Sequence, residues 1–234
     1  MKPETKYITK VIPIKTGISN CFLIIQNSKF FLVDTGEKGF EDKIAAVITS
    51  RGLKLKDLQF IFLTHTHYDH AGSAYALKKL TGASIVVHES EIEYLIDGFH
   101  PMTKGTSPFF RLIITLSRLR RKSKTTVIGV KPDIIFSNSL ELQKFGFDAR
   151  IIHTPGHTKG SSCLIIDKHT FVGDTMFNVF GNIYPPFAND TKNLIKSWEL
   201  LLSKDAKYYY PAHGKRITKS EFKVVAVKKA IPIF

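Results

Sequence analysis

A cluster of metal-ligand side chains places the strongest constraint on this chain. His65, His67, Asp69 and His70 lie within six residues, directly after the apolar run 60–63. His65 and His67 alternate in phase and therefore point to the same side, while Asp69 and His70 follow in the turn and can face a second point nearby. Imidazole and carboxylate groups suit zinc, iron or manganese. One such cluster commonly supplies fewer ligands than two ions need, so further ligands are expected elsewhere in the chain.

Three more candidate ligands stand where other apolar segments stop. His157 lies in a Pro-Gly turn after the strand-like segment 150–153, Asp174 follows an apolar run at 171–173, and His213 follows the segment 208–212. Strand ends at turns are where a layered α/β fold gathers its functional groups. The repetition of this placement predicts one shared metal centre.

These segments, in this order, resemble the metallo-β-lactamase superfamily of metal-dependent hydrolases over about residues 7–215. The resemblance implies two divalent ions, with Zn²⁺ expected and Fe or Mn as alternatives. It implies that His65, His67 and His157 hold one ion, that Asp69, His70 and His213 hold the second, and that Asp174 bridges both. It also implies a catalytic role for Asp69, which would orient a metal-bound hydroxide and accept its proton.

Apolar periodicity predicts an α/β fold in two halves, each a sheet with helices outside. The expected strands are 21–26, 29–34, 58–63, 84–87, 133–136, 139–145, 148–153, 161–167 and 170–173. The expected helices are 40–48, 72–80, 89–96 and 190–203. Together they predict a four-layer αββα sandwich, the metallo-β-lactamase fold, with the metals at one edge. We expect a single metallo-hydrolase domain over 1–234.

Composition agrees with one compact domain outside oxidising compartments. The 234 residues are 43% hydrophobic, which is ample for a core. Cys21 and Cys163 lie in apolar strand-like runs and are expected to be buried, reduced thiols. The first residues lack the apolar stretch of a signal peptide, and no apolar run approaches the roughly 18 residues of a membrane span. We therefore expect a cytoplasmic protein.

The segment 98–132 differs from a minimal scaffold of this kind. It contains eight basic residues and no acidic one, and its apolar residues between 108 and 122 recur at helical intervals. We interpret it as an inserted basic amphipathic helix. A charged face over ordinary packing, a lid for an anionic or acyl-bearing substrate, a homodimer surface and a membrane-surface contact remain open. The net charge of +14 favours anionic partners, but there is no dedicated nucleic-acid motif.

Departures from subfamily patterns narrow the function. The bridging aspartate implied at Asp174 is not part of the class B β-lactamase pattern, and acyl-homoserine lactonases carry a tyrosine where this chain has Phe177. The segment 173–177 is more similar to the glyoxalase II branch, without that branch's C-terminal domain. The prediction is a dinuclear zinc hydrolase that cleaves a small ester, thioester or lactone through a metal-bound hydroxide.

Two alternatives from other reaction classes stay open, and substrate-binding residues are not assigned. A persulfide dioxygenase-like enzyme would use one iron held by two histidines and one aspartate, leaving His70 and His213 unused. A phosphodiesterase or nuclease would use the positive surface. Among the remaining side chains, His153 is expected to lie outside the ligand set, as are His88, His100 and His169; Tyr68 and Tyr184 are expected to pack at the core or rim.

Overall fold

The computed structural model describes residues 8–118 and 126–229, and two six-stranded sheets dominate that part of the chain. The first sheet contains β1 (Thr9–Thr16), β2 (Ser19–Gln26), β3 (Lys29–Val33), β4 (Phe60–Phe62), β5 (Ser84–His88) and β6 (Ile134–Phe136). The second contains β7 (Ser139–Glu141), β8 (Ala149–His153), β9 (Ser162–Ile166), β10 (His169–Gly173), β11 (Tyr208–Pro211) and β12 (Ile217–Thr218). In both sheets each strand is hydrogen-bonded to the strands that precede and follow it along the chain.

Helices flank the outer face of each sheet. The first sheet carries α1 (Glu41–Thr49), α2 (Tyr68–Ala71), α3 (Ala74–Thr81) and α4 (Ile92–Asp97). A further helix, α5 (Pro108–Arg118), packs through Phe110 on Phe187. The second half carries α6 (Thr191–Leu202) and α7 (Lys219–Lys228). Short 3-10 turns occur at Leu55–Asp57, Glu89–Glu91 and Gln143–Phe145. No helix among the described residues combines the length and apolar character needed to cross a membrane.

Three apolar clusters separate four layers. One lies between the first sheet and its helices and includes Leu23 and Ile61 of the sheet and Ile44 of α1. A second, between the sheets, contains Phe31 and Phe171. The third lies between the second sheet and its helices and includes the fully buried Trp198. Strands covered on both faces read as continuous apolar runs, as in this sequence. The predicted four-layer αββα fold is confirmed.

Strand direction brings the candidate ligands to one edge. Strands β3, β4, β5 and β6 are parallel, so the segments after β3 and β4 leave the sheet on the same side. In the second sheet β10 is parallel to β11, and β8 runs in the same direction because both β8 and β10 are antiparallel to β9. Two backbone hydrogen bonds join the sheets at this edge, from Ser162 N to Thr64 O (2.9 Å) and from Asn20 N to Ala212 O (2.8 Å).

Several element boundaries differ from the predictions. The strand expected over 139–145 ends at Glu141, because the chain enters a 3-10 turn that Gly146 closes at φ 86°. The helix expected over 72–80 is present as α3, and the short helix α2 before it was not predicted. The helix expected over 89–96 divides into a 3-10 turn followed by α4. The helix expected within 108–122 is present as α5, and its last residues lie outside the described part. A single domain over 1–234 stays a prediction.

Candidate metal centre

All seven side chains that the sequence singles out converge at this edge, and each is at most 9% exposed. They form three overlapping groups whose possible ligand atoms lie within 4.8 Å of one another. These groups are His65, His67 and His157; His65, His70 and Asp174; and Asp69, His70 and His213. The structure therefore places the seven residues together in the arrangement that two neighbouring ions would require. Their role as ligands stays a proposal.

The first group presents three imidazole nitrogens to a common point. His65 Nε2 lies 2.9 Å from His67 Nδ1, and His157 Nε2 lies 3.1 Å from the same atom. On the far side of the His67 and His157 rings a backbone oxygen accepts a hydrogen bond. Pro101 O accepts from His67 Nε2 (3.2 Å), and Phe187 O accepts from His157 Nδ1 (2.9 Å). Since the far nitrogens donate, the near nitrogens of these rings carry lone pairs.

The His65 ring, the third of the first group, is oriented through Thr64. The Thr64 hydroxyl donates to Asp34 Oδ2 (2.9 Å) and lies 3.2 Å from His65 Nδ1, which can donate to it. Three lone pairs then face one another in a buried space. That arrangement fits a cation held by three imidazoles, the donor type that zinc prefers.

Asp69, His70 and His213, called the second group from here on, combine histidine with carboxylate. His70 Nδ1 donates to Asp34 Oδ2 (2.9 Å), which turns His70 Nε2 towards Asp174 Oδ1 at 3.2 Å. Both of these facing atoms are buried and lack a hydrogen-bond partner. His213 Nδ1 donates to Ile18 O (3.1 Å), and its Nε2 lies 3.2 Å from Asp69 Oδ2. Buried polar atoms without partners are rare, and a bound cation would satisfy these.

Asp174 lies between the first group (His65, His67 and His157) and the second group (Asp69, His70 and His213). Its Oδ2 lies 3.4 Å from His157 Nε2, whereas its Oδ1 lies 3.3 Å from His213 Nε2. Each carboxylate oxygen thus faces a different group. Gly173, directly before it, has φ 49°, and a Cβ there would approach Thr64 Oγ1 to 2.5 Å. Only glycine therefore delivers Asp174 at this distance from the first ligand segment.

The electrostatics of the two groups differ. Burial lowers the pKa of His67 to about 3, and burial also lowers the pKa of His65 and His157, so these imidazoles are neutral. Burial also acts to lower the pKa of His70 and His213, but Asp174 and neighbouring carboxylates outweigh it and raise the pKa of both imidazoles. The second group therefore attracts positive charge, as a metal site of mixed imidazole and carboxylate ligands should.

Asp34 is a site residue that the sequence analysis did not identify. It follows β3, is 1% exposed, and has φ 61°, which is uncommon for a residue other than glycine. Its carboxylate fixes His70 directly and His65 through Thr64. An aspartate after an apolar strand is the signal that pointed to Asp174, and the same signal could have identified Asp34.

The other histidines and tyrosines lie in different places. His100 belongs to none of the three ligand groups, but its ring packs against the His67 ring with centroids 4.4 Å apart, a contact that the sequence analysis did not predict. His153 stacks on His88 instead of joining the ligands. Tyr184 lines a cleft of about 390 Å³ between α5 and α7, outside the three ligand groups. Tyr68 is half-buried at the start of α2.

Glu91 connects two of the ligand-bearing segments. Its fully buried carboxylate accepts hydrogen bonds from Thr66 N (3.0 Å) and Thr66 Oγ1 (2.6 Å) on one side. On the other side it accepts from Thr158 Oγ1 (2.7 Å) and Gly160 N (3.1 Å). Thr66 lies between His65 and His67, and Thr158 follows His157. Glu91 therefore holds the first group in register across 67 residues of chain.

We expect Glu91→Gln to weaken metal binding as well as folding. An amide nitrogen in place of one carboxylate oxygen cannot accept, so a buried donor loses its partner and the free energy of unfolding falls by about 1–3 kcal/mol. Because Glu91 orients ligands, metal affinity measured by chelator competition should fall about 10- to 100-fold. Glu93→Gln, exposed on the neighbouring turn, is the matched control and should change neither quantity. Unaltered metal affinity in Glu91→Gln would show that Glu91 acts on stability alone.

Comparison with known proteins agrees with this geometry. Residues 14–213 match the family model of the metallo-beta-lactamase superfamily. A probable metallo-hydrolase of Methanocaldococcus jannaschii is 26% identical over 200 residues, covering 84% of this chain and 87% of the relative. Hydroxyacylglutathione hydrolase GloC of Haemophilus influenzae is 28% identical over 172 residues, covering 72% of this chain and 71% of the relative.

Solved structures support the same fold. The B3 metallo-beta-lactamase BLEG-1 superposes with a TM-score of 0.70 at 21% identity, covering 92% of this chain and 95% of that one. The match of the family model to most of the chain is the finding that decides the classification. The chain belongs to the metallo-β-lactamase superfamily and is a metal-dependent hydrolase.

Proposed function

We propose that this protein hydrolyses a small ester, thioester or lactone at a dinuclear zinc centre. The observation that carries the proposal is the position of Asp174, whose two oxygens face two separate groups of buried ligand-type side chains. His65, His67 and His157 would hold one ion. Asp69, His70 and His213 would hold the other. Iron or manganese would suit the same ligand types.

The chain's own residues supply orientation and proton transfer. Two divalent cations, when bound, lower the pKa of water and polarise a carbonyl oxygen of the substrate. Asp69 is proposed to accept the proton of the attacking water. Burial raises the pKa of its carboxyl, but His70 and His213 outweigh this and lower it, so Asp69 is ionised and can act as a base. The Ser19 hydroxyl, which donates to Asp69 O (2.5 Å), fixes the backbone at this position.

The first part of the segment 98–132 forms a wall beside the centre. Pro101 O accepts from His67, and Gly105 pairs with Phe187, whose carbonyl accepts from His157. Phe177, stacked on His213 at 4.7 Å, adds an aromatic surface near the second group. A wall of this kind is consistent with a lid that holds an acyl-bearing or anionic small molecule. The resemblance to GloC, named for a hydroxyacylglutathione, supports a thioester among the three substrate classes.

The two alternatives make different demands on the site. A mononuclear iron dioxygenase would leave His70 and His213 without a role, although both are buried with Nε2 directed at carboxylates. A phosphodiesterase is favoured by the net charge of +14, which would attract a polyanion. The positions of His70 and His213 support hydrolysis over oxygenation. The cytoplasmic location stays a prediction that cell fractionation would test.

A substrate panel tests the proposal. Zinc-reconstituted protein should hydrolyse at least one of a hydroxyacylglutathione, an aryl ester and a lactone with kcat/KM at least about tenfold above that for an aryl phosphodiester. Parallel assays of Asp69→Asn would exclude a contaminating hydrolase. Cleavage of the phosphodiester alone would favour the nuclease alternative. Oxygen consumption with a glutathione persulfide, and no hydrolysis, would favour the dioxygenase.

A further inference from the structure

Helix α5 (Pro108–Arg118) exposes a row of large apolar side chains. Phe109 is 66% exposed, Leu112 59% and Leu116 57%. Their spacing of three and four residues places them on one face of the helix. Ile114, on the opposite face, is 5% exposed, so the helix is fixed to the protein by that side. The outward face is therefore an ordered apolar row instead of scattered single residues.

The segment that carries this row is basic in its sequence. The segment 98–132 contains eight basic residues and no acidic one. Lys104 precedes the helix and is exposed, while Arg111 lies within it, beside Leu112, and donates through Nε to Gly105 O (3.2 Å). An apolar helix face within a basic segment is an arrangement that binds the boundary between headgroups and acyl chains in an anionic membrane.

We propose that α5 docks this face on an anionic lipid surface, with Phe109, Leu112 and Leu116 entering the boundary between headgroups and acyl chains. Charge distinguishes this occupant from a second copy of the chain. In a symmetric dimer through α5 the same basic segment would meet itself, and like charges would repel one another. Anionic headgroups would instead neutralise the segment while the acyl chains cover the apolar row.

The position of α5 relates this surface to the metal centre. Just before the helix, Thr106 N donates to Pro186 O (2.9 Å), and within it Phe110 packs on Phe187 with ring centroids 5.6 Å apart. Phe187 O accepts from the candidate ligand His157. Docking through α5 would therefore hold the protein by a segment that contacts a wall of the site. The docking itself does not depend on the reaction proposed above.

Vesicle co-sedimentation of the full-length, zinc-loaded protein tests the proposal. The vesicles are phosphatidylcholine alone or phosphatidylcholine mixed with phosphatidylglycerol. We expect binding to the mixed vesicles, little binding to the neutral ones, and a decrease with added salt. In Leu112→Ser/Leu116→Ser the binding constant for mixed vesicles should fall at least about tenfold, because two side chains lose their place in the acyl region.

The matched control is Val224→Ser/Val227→Ser, which alters two side chains of similar exposure (57% and 60%) on α7. It should bind as the unaltered protein does, and all three proteins should show the same thermal unfolding. The proposal is overturned if the unaltered protein does not bind mixed vesicles, if it binds neutral ones equally well, or if both double variants lose binding alike. Dimerisation in light scattering that Leu112→Ser/Leu116→Ser abolishes would also overturn it, since the face would then be an interface between copies.

Discussion

Asp69→Asn should lower turnover by about two orders of magnitude or more while the protein remains folded. The amide keeps the shape of the carboxylate but cannot accept the proton of the attacking water. Asp69 Oδ2 also lies 3.2 Å from His213 Nε2, so the substitution removes a charge from the second ligand group. Activity should be measured at saturating zinc, with thermal unfolding and metal content determined on the same preparation.

The metal content of the variant distinguishes a chemical role of Asp69 from a structural one. Asp42→Asn, on the exposed first turn of α1, is the matched control and should retain full activity. If Asp69→Asn loses activity but holds the same metal content, the loss belongs to the chemical step. Turnover within a few-fold of the unaltered enzyme on its best substrate would remove Asp69 from the mechanism.

The second large effect is expected for Asp174→Ala. Removing this carboxylate takes one oxygen from each ligand group, because Oδ2 faces His157 and Oδ1 faces His70 and His213. The affinity for each ion should fall at least about 10- to 100-fold. That is the effect of losing only a hydrogen-bond partner of a ligand, and Asp174 is proposed to be a ligand itself. Hydrolysis should fall with it. Chelator competition would measure both binding steps.

A graded pair of variants sharpens this prediction. Asp174→Asn keeps the volume and one oxygen, so it should weaken binding less than Asp174→Ala does. Loss of a single ion in Asp174→Ala, with the other bound at unaltered affinity, would show that Asp174 serves one group and does not bridge the two.

Local sequence patterns were sufficient for the layers and for the seven candidate ligands. Strands buried on both faces gave apolar runs long enough to recognise, and the ligands follow directly after such runs. The α7 helix was missed although Thr218 and Glu221 form a capping box, a local signature four residues long. That signal was present in the sequence and could have been used.

The contacts that orient the ligands could not be read from local pattern. Asp34 reaches His70 across 36 residues, and Glu91 reaches Thr158 across 67. Such contacts depend on which strand ends the sheets bring together. The contact of His100 with His67 was not predicted for the same reason, since it exists only because the chain after α4 returns over the centre. Strand direction, not residue type, determines these partners.

We propose that this edge of the sandwich holds two metal ions per chain. Metal-depleted protein, reconstituted with excess zinc and then dialysed, should contain two zinc ions per chain by plasma mass spectrometry. A total of at most one ion per chain would contradict a dinuclear centre, because it would leave His70 and His213, or the group around His67, without a cation.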